Sequence, residues 1–343
     1  MTVIRRLRAM SLLPLILLLP AAVQAGAAVP PSAGVAEART ALRDSDACVE
    51  RGNRGTARAS RCYALDYGGY TRTLRVYVPH QRGGPWPLLV VLHGGGGGGG
   101  GMEGLTRSGF DRIADRDGLV VVYPDGIGHG WNDGRTDLKS EAVKRGVDDL
   151  GYLRALPGLL AQRFPIDPAR VYATGISNGG LMSYRLACDA ADVYAAVAPV
   201  AANLSVELAP ACRPPRPVPV LIIDGTDDPI MPWDGGAVRV LWMTRGDVLS
   251  APATFARWRA LDGCGPARAD AEVDAVPDDQ TSFIVHRASC AGSEVTLYEV
   301  RGGGHTWPQG VPYLGPRIVG RVSAEFDANQ VVWDFLRRYR LPR

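Results

Sequence analysis

The sequence predicts an α/β protein, a mostly parallel sheet flanked by helices on both faces. Three observations carry this. Leu119–Tyr123, Arg170–Thr174 and Val218–Ile223 are short, near-continuous apolar runs rich in β-branched residues, the pattern of strands buried on both faces. Helical spacings lie between such runs, as in Leu150, Leu153, Leu156 and Leu160. Strands alternating with helices give a parallel sheet covered on both sides. The 343 residues, 46% hydrophobic and 21% charged, suffice for a sizeable core.

Taken in order, the chain opens on a targeting signal. Arg5, Arg6 and Arg8 form a positive region, Ala9 to Val23 carry no charge, and Val23-Gln24-Ala25 offers small residues for cleavage. A membrane anchor fits less well, since Pro14 and Pro20 interrupt a run shorter than the roughly 20 residues a spanning helix needs. Residues 1–25 are therefore read as a signal peptide, which makes the mature protein secreted, with no stable membrane anchor. Residues 26–62 read as a poorly structured lead-in rich in Ala, Gly, Ser and Arg. One catalytic domain, 63–343, follows, with no internal repeat.

Within it, Leu74–Val78 and Pro87–Leu92 read as strands before the three apolar runs. Pro157 should kink or break the leucine helix, because proline lacks the N–H and crowds the preceding turn. Val295–Val300 reads as a late strand, and Val332, Phe335, Leu336 and Tyr339 give a final helix.

The net charge of +3 resides in the signal, so the mature body is balanced. Nucleic-acid binders carry a basic footprint, and none is expected here. Lys139 and Lys144 are the only lysines and neither ends a glycine-rich loop, which excludes phosphate-loop nucleotide hydrolases. Six cysteines suit an exported chain: Cys48, Cys62, Cys188, Cys212, Cys264 and Cys290. None forms a CxxC metal or redox motif. Of the pairings open to them, neighbour pairing is the expectation, each loop contributing about 3 kcal/mol in the chain-entropy model.

The chemistry centres on Gly175-Ile176-Ser177-Asn178-Gly179, a G-x-S-x-G motif with a strand running in and a helical pattern running out. The glycines permit a tight turn that pushes Ser177 into an exposed position, and the helix N-terminus favours negative charge there. A serine hydroxyl needs a base. In this arrangement the acid and then the histidine follow the serine. Only His286 and His305 lie downstream. His286 sits in a strand pattern and reads as structural, whereas His305 follows Gly302-Gly303-Gly304 in a loop after a strand, so His305 is chosen.

The acid belongs on the loop after Val218–Ile223, where Asp224, Asp227 and Asp228 compete. Asp224 reads as a turn residue, and local physics does not separate Asp227 from Asp228. Asp148 and Asp149 precede the serine and read as helix caps. Leu92-His93-Gly94 opens a glycine run to Gly101. Such a loop supplies one oxyanion-hole N–H, here from Gly95, while Asn178 supplies the other. His93 then orders the loop. No cofactor or metal is expected.

The segments Leu92 to Gly95, Tyr123 to Gly126, Trp131 to Gly134, Val147 to Asp149, Arg170 to Gly180, Asp224 to Pro232 and Gly302 to Pro308 occur in order. In these the chain resembles the secreted esterases of the α/β-hydrolase fold that comprise poly(3-hydroxybutyrate) depolymerases and feruloyl or acetylxylan esterases. The resemblance implies that Asp228 is the acid, although Asp224 stands where the family usually has histidine, which leaves Asp227 as the fallback. It implies disulfides Cys188–Cys212 and Cys264–Cys290. It implies an ester substrate, a polyester oligomer or an esterified polysaccharide. Trp131, Trp233 and Trp307 lie on loops beside Gly or Pro and are candidate substrate-binding residues. Three classes follow: a serine esterase, a peptidase on the same scaffold, and a non-catalytic binding protein.

Overall fold

The computed structural model describes residues 41–48, 60–81, 83–137 and 139–342. The predicted signal and most of the predicted lead-in fall outside the described residues. β1 (Arg43–Asp44), β2 (Arg61–Tyr67) and β3 (Tyr70–Tyr77) make an antiparallel border. β4 (Trp86–Leu92), β5 (Val120–Pro124), β6 (Ile166–Ile176), β7 (Ala196–Val200) and β8 (Val220–Gly225) follow. β9 (Gly236–Val240) and β10 (Met243–Val248) form a separate hairpin. β11 (Arg268–Ala269), β12 (Ser282–Cys290) and β13 (Ser293–Arg301) close the far edge antiparallel.

Among the described residues the main sheet has eleven strands, in the order β1-β2-β3-β5-β4-β6-β7-β8-β13-β12-β11. Every pairing from β5 through β4, β6, β7 and β8 to β13 is parallel. The apolar runs explain this centre. Side chains alternate faces along a strand, so Leu88, Val90 and Leu92 join one core while Leu89 and Val91 join the other. The helices Asp149–Ala161, Asn178–Asp189 and Ala251–Leu261 cover the first face. Gly99–Leu105, Gly109–Asp117 and Ala328–Leu336 cover the second. This is the α/β-hydrolase architecture, and its strands are buried on both faces as their composition requires.

Within the lead-in, read as poorly structured, β1 pairs with β2 and a Cys48–Cys62 disulfide fastens residues 41–48 to the sheet edge. Two expectations need correction. Pro157 does not break its helix, which runs unbroken from Asp149 to Ala161. The carbonyl that proline deprives of a partner is that of Leu153, and the buried Tyr194 hydroxyl donates to it at 2.7 Å. The last helix stops at Leu336, before Tyr339. The other cysteines pair as Cys188–Cys212 and Cys264–Cys290.

Candidate active site

The site residues follow the C-terminal ends of three strands on one edge of the parallel sheet, where ligands of open α/β sheets sit. Ser177 follows β6, Asp228 lies three residues past β8, and His305 lies four residues past β13. β7 lies between β6 and β8, and β8 neighbours β13.

The serine turn is tight for a measurable reason. Ser177 has φ of 57° and ψ of −120°, a backbone conformation that a non-glycine residue adopts only under strain. A Cβ at Gly175 would meet the Leu92 carbonyl oxygen at 2.6 Å, and one at Gly179 would meet it at 2.4 Å. Both glycines are therefore required by the close approach of β4 to the turn. Ser177 is half-buried, and its N–H donates to Val200 O at 3.0 Å.

A ladder of contacts ties this turn to the other two loops. Past Val200, the Ala201 N–H donates to Ile223 O and the Ala202 N–H donates to Asp224 Oδ1, each at 2.8 Å. Past β8, the Asp227 N–H donates to Gly303 O at 2.9 Å in the histidine loop. A Cβ at Gly225 would stand 2.2 Å from that same carbonyl oxygen, so glycine lets the two loops touch.

His305 and Asp228 meet there. His305 Nδ1 lies 2.7 Å from Asp228 Oδ2, with both side chains 2% exposed. Asp227 does not share this environment. Its carboxylate is 56% exposed and faces Arg321 at 3.5 Å. Asp224 is not a turn residue as read from sequence. It belongs to β8 and is buried, its Oδ2 lacks a hydrogen-bond partner, and burial pushes its carboxyl well above the ordinary range.

The glycine loop after β4 leans on the serine turn. A Cβ at Gly94 would stand 3.5 Å from Ser177 Cβ, and one at Gly95 would stand 3.9 Å from Asn178 Cβ. The last three glycines of the run instead open the helix Gly99–Leu105. His93 is buried, with Nε2 accepting from the Gly126 N–H at 2.9 Å. Its Nδ1 therefore carries the proton, donated to Gly94 O at 2.8 Å, and burial lowers its pKa. It is a neutral loop brace.

Asn178 is held by a network that sequence reasoning missed. Its Oδ1 accepts from the Trp131 N–H at 2.7 Å and its Nδ2 donates to Asp133 Oδ2 at 2.6 Å. Asp133 also pairs with the buried Arg135 at 2.7 Å. Behind it, Asp149 Oδ2 accepts from the Asn132 N–H at 2.7 Å, and Asp149 Oδ1 pairs with the buried Arg72 at 2.7 Å. Burial pushes the Asp149 carboxyl up even against that guanidinium. Asp149 is thus an anchor for the loop rather than a cap. Asp148 is the cap, accepting from the Gly151 N–H at 2.8 Å. Nothing in local periodicity marks Arg72 and Asp149 as partners 77 residues apart.

The three tryptophans divide. Trp131 and Trp307 are buried, their indole N–H groups donating to His93 O and Asn329 Oδ1. They pack loops and offer no surface to a substrate. Trp233 is half-buried and follows the Asp228 loop in sequence. His286 pairs with Glu299 at 2.8 Å across the β12–β13 ladder, as a structural histidine would. No helix among the described residues is long and apolar enough to cross a membrane, and among those residues no group of side chains is arranged to hold a metal.

Residues 112–211, which include the serine turn, match the prolyl oligopeptidase family. A putative esterase, NocK, of Nocardia uniformis subsp. tsuyamanensis is 33% identical over 73% of this chain and 74% of its own length. Feruloyl esterase B of Piromyces equi is 29% identical over 75% of this chain but only 42% of its own length. A poly(3-hydroxybutyrate) depolymerase of Ralstonia pickettii is 29% identical over 35% of this chain and 26% of its own.

Proposed function

Because this chain belongs to the α/β-hydrolase esterase family of feruloyl esterases, acetylxylan esterases and poly(3-hydroxybutyrate) depolymerases, and is a carboxylic ester hydrolase of the serine type, we propose that it works as an exported acyl-transfer enzyme on Ser177. His305 takes the Ser177 proton as the hydroxyl oxygen attacks the ester carbonyl. Asp228 fixes the imidazole tautomer, since a carboxylate at Nδ1 leaves Nε2 as the basic nitrogen. The N–H groups of Gly95 and Asn178 stabilise the oxyanion, each such donor being worth roughly 3 kcal/mol of transition-state stabilisation. The intermediate collapses, the alcohol leaves with the proton from His305, and water then repeats the sequence on the acyl-enzyme. The buried His305–Asp228 contact, on the strand-end edge that carries Ser177, is the observation that supports this reading.

For the substrate, a hydroxyalkanoate-type ester is the proposed class. A second reading, a feruloylated or acetylated polysaccharide, is favoured by the longer stretch shared with the Piromyces protein. A peptidase reading is raised by the match of residues 112–211 to the prolyl oligopeptidase family. Export is supported by the three disulfides and by the charge pattern of residues 1–25. The catalytic domain is proposed to comprise residues 63–343, with residues 41–48 and 60–62 fastened to it.

A serine-directed fluorophosphonate should label Ser177 in the folded protein, mapped by peptide mass. Absence of labelling there would overturn the enzyme mechanism in favour of a binding protein. A panel of nitrophenyl esters, methyl ferulate, acetylated xylan, polyhydroxybutyrate and a nitroanilide separates the substrate readings, and cleavage of the amide alone would favour the peptidase.

A further inference from the structure

The segment after the histidine loop is fastened to His305 at both ends. The Tyr313 hydroxyl donates to His305 O at 2.8 Å, and the His305 N–H donates to Val319 O at 2.6 Å. Between these anchors run Leu314, Gly315, Pro316, Arg317 and Ile318. An extended chain covers at most about 3.5 Å per residue, so no part of this bow is more than about 10 Å of backbone from an anchor.

The bow is short, tied to the base, and yet shows apolar groups to solvent. Tyr313 is 39% exposed, Leu314 48% and Ile318 38%. Only Arg317 on it carries charge. Large apolar side chains grouped on a surface mark contact sites, because covering them releases roughly 25 cal/mol per Å².

The chemistry says which part of a substrate passes there. His305 must return its proton to the leaving alkoxide oxygen, so the alcohol side of the ester is the side that meets the His305 loop, to whose main chain the bow is fastened. The Gly95–Asn178 contact borders the carbonyl side instead. We propose that Tyr313, Leu314 and Ile318 form the wall that receives the alcohol moiety, and that this wall selects apolar alcohols over the hydroxyl-covered face of a sugar. The inference rests on the Ser177–His305 reading and deepens it.

The test compares kcat/KM for methyl acetate, hexyl acetate and methyl hexanoate in the wild type and in the Leu314→Ser/Ile318→Ser double variant. Both positions are exposed, and circular dichroism checks the fold. The hexyl acetate to methyl acetate ratio should fall about tenfold, the low end of what hydrophobic contacts discriminate. The methyl hexanoate to methyl acetate ratio should hold. An unmoved alcohol-side ratio, or a loss confined to the acyl series, overturns the wall. Ser177→Ala distinguishes the levels of failure. If it hydrolyses methyl acetate like the wild type, the serine mechanism falls and the wall with it. If it is inactive while the double variant leaves the alcohol-side ratio unchanged, the wall alone falls.

Discussion

Asp228 grips His305 with one carboxylate oxygen and its own loop with the other. Oδ2 stands 2.7 Å from His305 Nδ1, and Oδ1 accepts from the Ile230 and Met231 N–H groups, each at 2.7 Å. Two backbone donors on the second oxygen fix the direction in which the first one points. Asp227 has no such seat, its carboxylate facing solvent and Arg321.

Asp228→Asn should therefore keep the fold and lose most of kcat. An amide cannot serve as charge partner to the imidazolium, and triad changes of this kind cost on the order of 10⁴ in kcat. Asp227→Asn should change kcat less than about fivefold, since an exposed ion pair contributes about 1 kcal/mol or less. Steady-state kinetics on a nitrophenyl ester decides it, and loss of turnover only in Asp227→Asn would reassign the acid.

What could be read from sequence follows from how local the cause is. β4, β5, β6 and β8 were legible because a strand buried on both faces must be apolar throughout. The serine turn was legible because it is built from neighbours, with Gly175 and Gly179 each facing the Leu92 carbonyl. The choice between Asp227 and Asp228 was not legible locally, since the two are adjacent and differ only in what long-range packing brings to them. The same holds for Trp131 and Trp307, whose loop positions concealed full burial. Pro157 misled for a similar reason. Proline costs a helix an unpaired carbonyl, and here the remedy is Tyr194, which arrives from 41 residues away.

That remedy is testable. Tyr194→Phe removes the hydroxyl and leaves Leu153 O buried with no donor in place of the proline-deleted bond. A buried acceptor left unsatisfied costs about 1–3 kcal/mol. Urea unfolding should show a loss in that range with an unchanged m value. A loss below about 0.5 kcal/mol would mean that the helix carries its proline without help from Tyr194.

Arg72 and Asp149 are buried at 2.7 Å, and Asp149 also holds the Asn132 N–H beneath the loop that positions Asn178. Arg72→Met should cost roughly 3–5 kcal/mol, because it strands a buried carboxylate. The double variant Arg72→Met/Asp149→Leu should recover part of that stability, since a buried pair replaced by apolar groups loses its desolvation cost as well. It should not recover kcat, because Asn132 has lost its acceptor. Recovery of both would show that the pair serves stability alone.

Asp224 supplies the test of a buried acid beside the proposed catalytic one. Burial raises its folded pKa well above the ordinary value, and the Asp228 charge adds to the rise. The unfolded chain holds an aspartate near about 3.9. The folded state therefore binds the proton more tightly, and the stability gained from it is fully present below pH about 4. It is lost as pH rises from there through the folded value. Asp224→Asn keeps an oxygen to accept the Ala202 N–H, now made at 2.8 Å, and stays neutral at every pH. The Tm of the variant minus that of the wild type should thus climb between pH 4 and pH 9. Asp262, which burial raises to about 6, contributes to both proteins alike and cancels in the difference. A Tm difference that stays flat across this range would show that Asp224 ionises in the fold as it does in water, and that its unpaired Oδ2 tolerates a charge beside Asp228.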